Sequence, residues 1–144
     1  MGKWANGLYA PKNPAKYVGK HAPRYRSSWE FTFMQFCDNH ENVMHWASEP
    51  FQIPYRNPFT GKQTVYVPDF FVVYQNKLGH KIAEVVEIKP RKQSVIEGKG
   101  ASQKDKAVVA LNHAKWAAAK AWCVQQNITF RVINENDIFR NGKA

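Results

Sequence analysis

The sequence has few cysteines, no long apolar run and no leader-like N-terminus, and each absence excludes a class of protein. Its two cysteines, Cys37 and Cys123, form no CxxC pair and no disulfide framework of the kind that small secreted domains carry. No apolar run approaches the roughly 20 residues that a membrane-spanning helix needs. Residues 1–17 also lack the continuous apolar stretch of a signal peptide. We therefore expect synthesis in a reducing cytoplasm and no association with a membrane.

Two kinds of ligand site are also missing from the sequence. Residues 57–61 lack the Gly-Lys-Ser/Thr pattern of a phosphate-binding loop, so we expect no nucleotide cofactor. Cys37-x-x-His40 offers two zinc ligands, but no second pair stands at zinc-finger spacing. Both side chains fall on the apolar face of a predicted helix, where core packing is the favoured role. The sequence contains no internal repeat and no low-complexity tract.

What the sequence does have is positive charge. Twenty-one Lys and Arg residues against eleven Asp and Glu give 144 residues a net charge of +10 and a pI near 9.7. Such an excess favours a polyanionic partner, because Lys and Arg contacts to phosphates supply most of the sequence-independent affinity for DNA. The alternative is a basic protein with no such partner. The length fits one domain, and a hydrophobic content of 44% excludes a disordered chain.

The charge is concentrated at the N-terminus. Residues 1–28 contain no acidic residue, and their prolines and glycines predict an extended basic arm over 1–26, followed by a folded domain over 27–144. The aromatic residues of this segment predict an arm that is either pinned to the body or stacked on a partner. The basic residues of the arm are Lys3, Lys12, Lys16, Lys20, Arg24 and Arg26.

The pattern of apolar residues predicts an α/β protein. Apolar residues recur at helical spacing from Ser27, and a long Ala-rich helix is expected over 102–126. Strands are expected where β-branched and aromatic residues cluster. These predicted strands cover 51–55, 63–75 with an interruption at Pro68, 81–89 and 128–134. The order α–β–β–β–α–β predicts a three-layer sandwich, in which a central mixed β-sheet is flanked by helices.

Three charged residues in two neighbouring predicted strands form the candidate site. Glu87 and Lys89 lie 18 and 20 residues after Asp69 (87 − 69 and 89 − 69). Residues i and i+2 of a strand share a face, so Glu87 and Lys89 point the same way, and a hairpin brings Asp69 beside Glu87. Two carboxylates and the carbonyl of Ile88 would form a hard oxygen site that suits Mg²⁺. Lys89 would then orient a water and stabilise charge on an attacked phosphate.

Simpler interpretations stand beside this one. Asp69 could be a turn residue after Pro68, although a core-strand sequence follows it at once. Glu87 and Lys89 could be an exposed ion pair, although the run around them is too apolar for a solvated strand, and buried charges need partners or a metal. Glu84 lies an odd number of residues from Glu87, so we expect it to face away from the site.

Glu30 has two interpretations that the residues alone leave open. Ser27-x-x-Glu30 fits a capping box, in which the glutamate closes the helix N-terminus. The same carboxylate could instead belong to the metal site. His113 and Lys115, on the long predicted helix, are expected at the surface or at the rim of the site.

These pieces together resemble the PD-(D/E)xK nuclease superfamily, and in particular its TnsA-like branch. The resemblance rests on Tyr-Arg-Ser-Ser-Trp-Glu (25–30), Trp-Ala-Ser-Glu-Pro (46–50), Val-Pro-Asp-Phe (67–70) and Glu-Ile-Lys-Pro (87–90). With Asn-Pro-Ala-Lys-Tyr (13–17), nearly the whole chain is similar to the head-completion nucleases of T-even-type tailed bacteriophages.

The resemblance implies a restriction-endonuclease-like fold and a phosphodiester hydrolase that acts on double-stranded DNA. It implies Mg²⁺, with Mn²⁺ as a substitute, bound by Asp69 and Glu87, with Lys89 as the catalytic lysine. It places Glu30 among both the catalytic and the metal-site residues. It further implies phage head or portal/neck proteins as partners, and a location in the virion head or neck after assembly in the host cytoplasm.

We expect basic residues on both sides of the site to contact DNA phosphates. The alternatives to a DNA endonuclease are a non-catalytic head protein that grips the packaged DNA end, the DNA-cleaving subunit of a transposase, and a nuclease directed to RNA. No base-reading pattern stands out, which favours low sequence specificity. The predicted DNA contacts are Lys12, Lys16, Lys20, Arg24 and Arg26 in the arm, and Arg91, Lys92, Lys99, Lys104 and Lys106 after the third predicted strand.

Overall fold

The computed structural model describes residues 6–90, 93, 102–134, 136 and 137. A four-stranded sheet with the order β3-β6-β7-β8 forms its centre. The pairs β3–β6 and β6–β7 are antiparallel and β7–β8 is parallel, so the sheet is mixed. The sheet strands are β3 (Val43–Ser48), β6 (Phe70–Gln75), β7 (Lys81–Ile88) and β8 (Thr129–Ile133).

Two layers cover this sheet. Helix α1 (Ser28–Asn39) packs on one face, where Phe33 and Met34 join Phe70 and Val86 in a buried cluster. Helix α2 (Gln103–Gln125) lies with the two-stranded hairpin β4 (Ile53–Arg56) and β5 (Gln63–Tyr66) on the other face. The predicted three-layer α/β sandwich with a mixed sheet is therefore confirmed.

Both helices begin at a capping serine, of which Ser27 was predicted as a cap. The Ser27 hydroxyl accepts a hydrogen bond from the N–H of Glu30 and starts α1. Ser102 and Asp105 form a complete capping box at the start of α2. Because parallel strands cannot be joined by a tight turn, α2 provides the crossover between β7 and β8.

The strand prediction over 63–75 was wrong in one respect. This segment forms two strands in different sheets, since β5 pairs with β4 and β6 pairs with β3. Pro68 has no N–H for a ladder, and residues 67–69 carry the chain from one sheet to the other. Residues 43–48, which were not among the predicted strands, form β3 around the fully buried Trp46. The strand expected over 51–55 begins at Ile53.

The described part of the N-terminal segment is packed on the body. Short strands β1 (Gly7–Leu8) and β2 (Arg24–Tyr25) pair with each other. Tyr9 is buried and donates a hydrogen bond of 2.6 Å to the Asp38 carboxylate at the end of α1. Tyr17 forms a parallel bridge with Trp46, and its ring packs edge-on against the indole. Residues 6–26 are therefore pinned to the body, which is the first of the two alternatives predicted for the arm. A boundary at residue 26 stays a prediction.

The two cysteines are packing residues in this fold. Cys37 and Cys123 are both buried free thiols, and burial raises the pKa of each. Cys37 belongs to the core cluster beneath α1, as the core-packing interpretation predicts. Among the described residues, neither helix combines the length and hydropathy that crossing a membrane requires.

Candidate active site

The residues of the site meet where β6 begins and β7 ends. Phe70 of β6 lies opposite Val86 of β7, which brings the preceding residue, Asp69, to the level of Glu87. The Asp69 N–H donates to Oε1 of Glu87 at 3.2 Å, and the Ile88 N–H donates to Oδ2 of Asp69 at 2.8 Å. The Glu87 carboxylate is thus held by the N–H of Asp69, just before β6. The Asp69 carboxylate is held by the N–H of Ile88, at the end of β7.

Alternation along the strands determines which layer the site faces. Phe70, Val86 and Ile88 point into the α1 cluster, so Glu87 points to the α2 side. Lys89 lies just beyond β7, and its Nζ is 3.7 Å from Oε2 of Glu87. The N–H and C=O of a strand residue point to the same side, so the Ile88 carbonyl is directed toward Asp69 as its N–H is.

Glu84 lies on the opposite face, as predicted. Its Oε2 accepts from the Tyr74 hydroxyl at 3.2 Å, and its Oε1 is 3.3 Å from Nε of Arg131. This buried group therefore belongs to a separate polar cluster beneath α1.

Glu30 reaches the site from the first turn of α1. Half of the expected capping box is present, because Ser27 accepts the Glu30 N–H at 3.2 Å. The Glu30 carboxylate, however, accepts the N–H of Arg26 at 3.1 Å. Its negative charge raises the pKa of Asp69, so the helix cap and the site share this residue.

The three carboxylates destabilise one another's charged forms. Burial, the charge of Glu87 and the charge of Glu30 together raise the pKa of Asp69 well above its usual value. Burial also raises the pKa of Glu87, against the lowering effects of the Tyr66 hydroxyl and Lys89. Burial is likewise the largest cause of the raised pKa of Glu30. Partly buried carboxylates that repel one another are stabilised in their charged form by a cation.

The donors present fit a hard divalent cation held by two carboxylates. Asp69 Oδ2 and Glu87 Oε1 make the fixed hydrogen bonds, so each residue has a second oxygen to offer, with the Ile88 carbonyl beside them. Within the described ranges, no three Asp, Glu, His or Cys side chains are grouped tightly enough to hold a metal ion. Glu30 as a third direct ligand therefore stays a prediction.

Tyr66, which the sequence did not point to, and Lys115, expected at the surface or at the rim, approach the site from other elements. The Tyr66 hydroxyl, at the end of β5, donates to Oε1 of Glu87 at 2.6 Å. Lys115 of α2 places its Nζ 5.9 Å from the centre of the Tyr66 ring. Burial and the nearby charge of Lys89 lower the pKa of Lys115, while Glu87 acts in the opposite direction. Lys115 thus lies at the rim of the site, which is one of the two positions expected for it.

The predicted DNA contacts occupy different environments. Lys16 donates to the carbonyls of Asp38 at 3.0 Å and His40 at 2.8 Å, so its ammonium satisfies the C-terminal end of α1. The Arg26 guanidinium is paired with Glu49 at 2.9 Å. Lys12, Lys20, Arg24, Lys104 and Lys106 are exposed, whereas Arg91, Lys92 and Lys99 lie outside the described residues.

The fold and the paired carboxylates define a nuclease of the restriction-endonuclease-like class. The chain belongs to the TnsA-like endonuclease N-terminal family, whose sequence profile matches residues 40–135. The match includes Asp69, Glu87 and Lys89 and begins after Glu30. The chain is also similar to the Head completion nuclease of Enterobacteria phage T4, with 29% identity over 143 residues, which covers 92% of this chain and 93% of that relative. The resemblance to TnsA-like nucleases is thereby confirmed.

Proposed function

We propose that this protein is a magnesium-dependent DNA endonuclease that acts in phage head completion and hydrolyses phosphodiesters at or near packaged DNA ends. The observation that carries the proposal is the pair Asp69–Glu87, cross-linked through backbone N–H groups beside Lys89, in a chain of net charge +10. Paired carboxylates of this kind serve little purpose in a protein that only binds phosphates, because they repel the ligand.

Each residue has a distinct task in the proposed reaction. Asp69, Glu87 and the Ile88 carbonyl would hold Mg²⁺ or Mn²⁺, both of which prefer oxygen ligands. When bound, such an ion would supply Lewis-acid stabilisation of the attacked phosphate. Lys89 orients the attacking water and offsets the negative charge that develops on the phosphate. Glu30 orients the site from the helix end, and Tyr66 keeps the Glu87 carboxylate in place through its hydrogen bond.

The biological setting is proposed from the relative. The name of the phage T4 protein places that nuclease in head completion. For this chain we propose double-stranded DNA as substrate, phage head or portal/neck proteins as partners, and a location in the virion head or neck after assembly in the host cytoplasm. The positive charge suits a filled head, in which DNA ends are the polyanion at hand.

The test is cleavage of supercoiled and linear duplex DNA by the purified protein, in Mg²⁺, in Mn²⁺ and in EDTA. Wild type is compared with Asp69→Ala, and Lys77→Ala, an exposed residue in the β6–β7 turn, serves as control. We expect metal-dependent nicking or end-trimming by wild type and the control, and none by Asp69→Ala. DNA binding without cleavage in any divalent metal would overturn the proposal and favour a non-catalytic head protein that grips DNA ends.

A further inference from the structure

A groove of about 660 Å³ lies between the N-terminal segment and residues close to Asp69 in the chain. One wall is the arm segment from Val18 to Arg26, and the other comprises residues 47–52 with Val67 and Phe71. We refer to this cavity, bounded by those residues, as the arm groove.

The arm groove is linked to the site through the backbone around Asp69. The N–H of Glu49, in its wall, donates to the Asp69 carbonyl at 2.8 Å. Val67 and Phe71 are each two residues from Asp69 along the chain. The groove is therefore a neighbouring surface onto which a polymer with one phosphate at Asp69 and Glu87 can extend.

The two walls differ in chemistry. The arm wall carries four Lys, Arg or His side chains. One of them, Arg26, is ion-paired with Glu49, which also lines the groove. The opposite wall, here called the apolar wall, presents Val67, which is 41% exposed, and the partly exposed Phe51 and Phe71. The polar residues Ser48, Glu49 and Gln52 lie beside them. The four arm side chains are Lys20, His21, Arg24 and Arg26.

Intact duplex DNA does not match this combination. Its outer surface presents phosphates and sugars, which suit the basic wall, but its base faces are stacked inside and leave the apolar wall without a partner. An unpaired strand presents phosphates along one side and free base faces along the other. Grooves that bind single strands combine these same two elements, a basic track for the backbone and apolar or aromatic surfaces for the bases.

We infer that the arm groove holds unpaired nucleotides of the strand to be cut, so that the preferred substrate is DNA whose strands are separated next to the cleavage point. A frayed end, a flap or a single-stranded overhang has this character. The inference rests on the proposed function, and it adds that the nuclease distinguishes an opened end from intact duplex by shape.

Binding is measured first, by fluorescence anisotropy in EDTA, so that cleavage is not required. The probes are a labelled 12-nucleotide single strand, the same strand with three adjacent abasic positions, and a blunt duplex of equal length. We expect the abasic strand to bind about fivefold or more weakly than the intact strand, since its phosphates remain and only the three bases are missing. Equal binding of the two strands would overturn the inference.

Variants then locate the binding to the groove. Val67→Ser should weaken single-strand binding and leave blunt-duplex binding within about twofold, because it alters only the apolar wall. The matched control is Leu78→Ser, which changes a side chain that is 78% exposed in the β6–β7 turn, outside the groove. If both variants behave alike, the groove does not hold the bases. Thermal denaturation of both proteins verifies that they fold.

Cleavage assays on blunt and forked duplexes of the same sequence distinguish the nuclease proposal from the inference that the groove holds unpaired nucleotides. Preferential cutting next to the fork by wild type, reduced in Val67→Ser, supports the inference. Equal cutting of both substrates would overturn the inference and leave the nuclease proposal standing. If the protein cuts no DNA in any metal but binds the abasic strand more weakly than the intact strand, the nuclease proposal is overturned. Binding of bases by the groove would then still stand.

Discussion

At the scale of single residues, Glu87 is held by three separate parts of the chain. Tyr66 donates to its Oε1 from β5, the Asp69 N–H donates to the same oxygen from the start of β6, and Lys89 lies near Oε2. A carboxylate held in this way keeps its geometry in the absence of any metal or DNA, which is what a preorganised site requires.

Replacing Tyr66 tests that preorganisation. Tyr66→Phe removes the 2.6 Å hydrogen bond and leaves the ring in place, so we expect cleavage to fall about tenfold, the effect that removing one hydrogen bond to a charged group produces. The Mg²⁺ concentration for half-maximal activity should rise, while the affinity for DNA in EDTA stays unchanged. The control is Tyr74→Phe, because Tyr74 bonds Glu84 on the opposite face of the sheet. Equal effects of the two changes would indicate a general structural role.

Lys89 provides the second prediction at this scale. Lys89→Ala should abolish cleavage and leave DNA affinity within about twofold, because one ammonium near the scissile phosphate contributes little to a charge-driven association that involves many phosphates. Gel shift and nicking assays on the same preparation measure both quantities. A parallel loss of binding and cleavage would contradict the role assigned to Lys89.

The sequence predicts some of these residues and not others, for a geometric reason. Glu87 and Lys89 are two residues apart in one strand, and Asp69 lies in the preceding strand of the same hairpin, so alternation and spacing place them together. Tyr66 belongs to a different hairpin and Lys115 to a helix. Their approach depends on the packing of layers, which leaves no periodic signal in the sequence.

At the scale of elements, α1 anchors the N-terminal segment through its last turn. Burial by itself would raise the pKa of Asp38, but hydrogen bonds from the Tyr9 hydroxyl and from the N–H groups of Lys12 and Asn13 outweigh it and lower the pKa. A lowered pKa means that the folded state prefers the charged carboxylate. The resulting stability is therefore fully present above the ordinary carboxyl pKa and is lost as the pH falls through the lowered value.

Asp38→Asn should destabilise the protein by about 2–3 kcal/mol at pH 7, since hydrogen bonds to a charged acceptor are replaced by weaker ones. Urea denaturation at pH 7 and again near pH 2 gives the free energy of unfolding of both proteins. We expect the difference between them to shrink at the lower pH, as the wild-type carboxyl begins to take up its proton. Tyr9→Phe, which removes one of the bonds, should cost about 1 kcal/mol. A difference independent of pH would contradict the role of the Asp38 charge.

Elements were predictable where the local signals agreed. Ser27 and Ser102 start the two helices as capping residues should, and the parallel strand after α2 follows from its β-branched residues. The segment 63–75 was predicted as one strand with an interruption at Pro68, because composition does not show where a chain changes sheets. The pairing partners, β4 for β5 and β3 for β6, show that its two parts belong to different sheets.

At the scale of the whole molecule, the net charge of +10 predicts that DNA binding weakens steeply as the salt concentration rises. The slope of the logarithm of the DNA-binding constant against the logarithm of the salt concentration should become shallower by about 2 in the double variant Lys20→Ala/Arg24→Ala. This change corresponds to roughly one for each phosphate that the protein no longer neutralises. Lys16→Ala should leave the slope almost unchanged, because its ammonium already binds the end of α1. Titrations in NaCl between low and physiological concentrations measure these slopes. Equal changes for Lys16 and for the exposed pair would show that the arm binds DNA along its whole length.

The β6–β7 hairpin has a consequence for the order in which the molecule assembles. Asp69 and Glu87 come from adjacent strands that a turn of a few residues connects, and hairpins form within microseconds. The parallel pairing of β7 with β8 has to wait for the long α2 crossover, and such non-local pairings form slowly. We therefore expect the two acidic residues to become neighbours early in folding, before the α2 crossover completes the sheet.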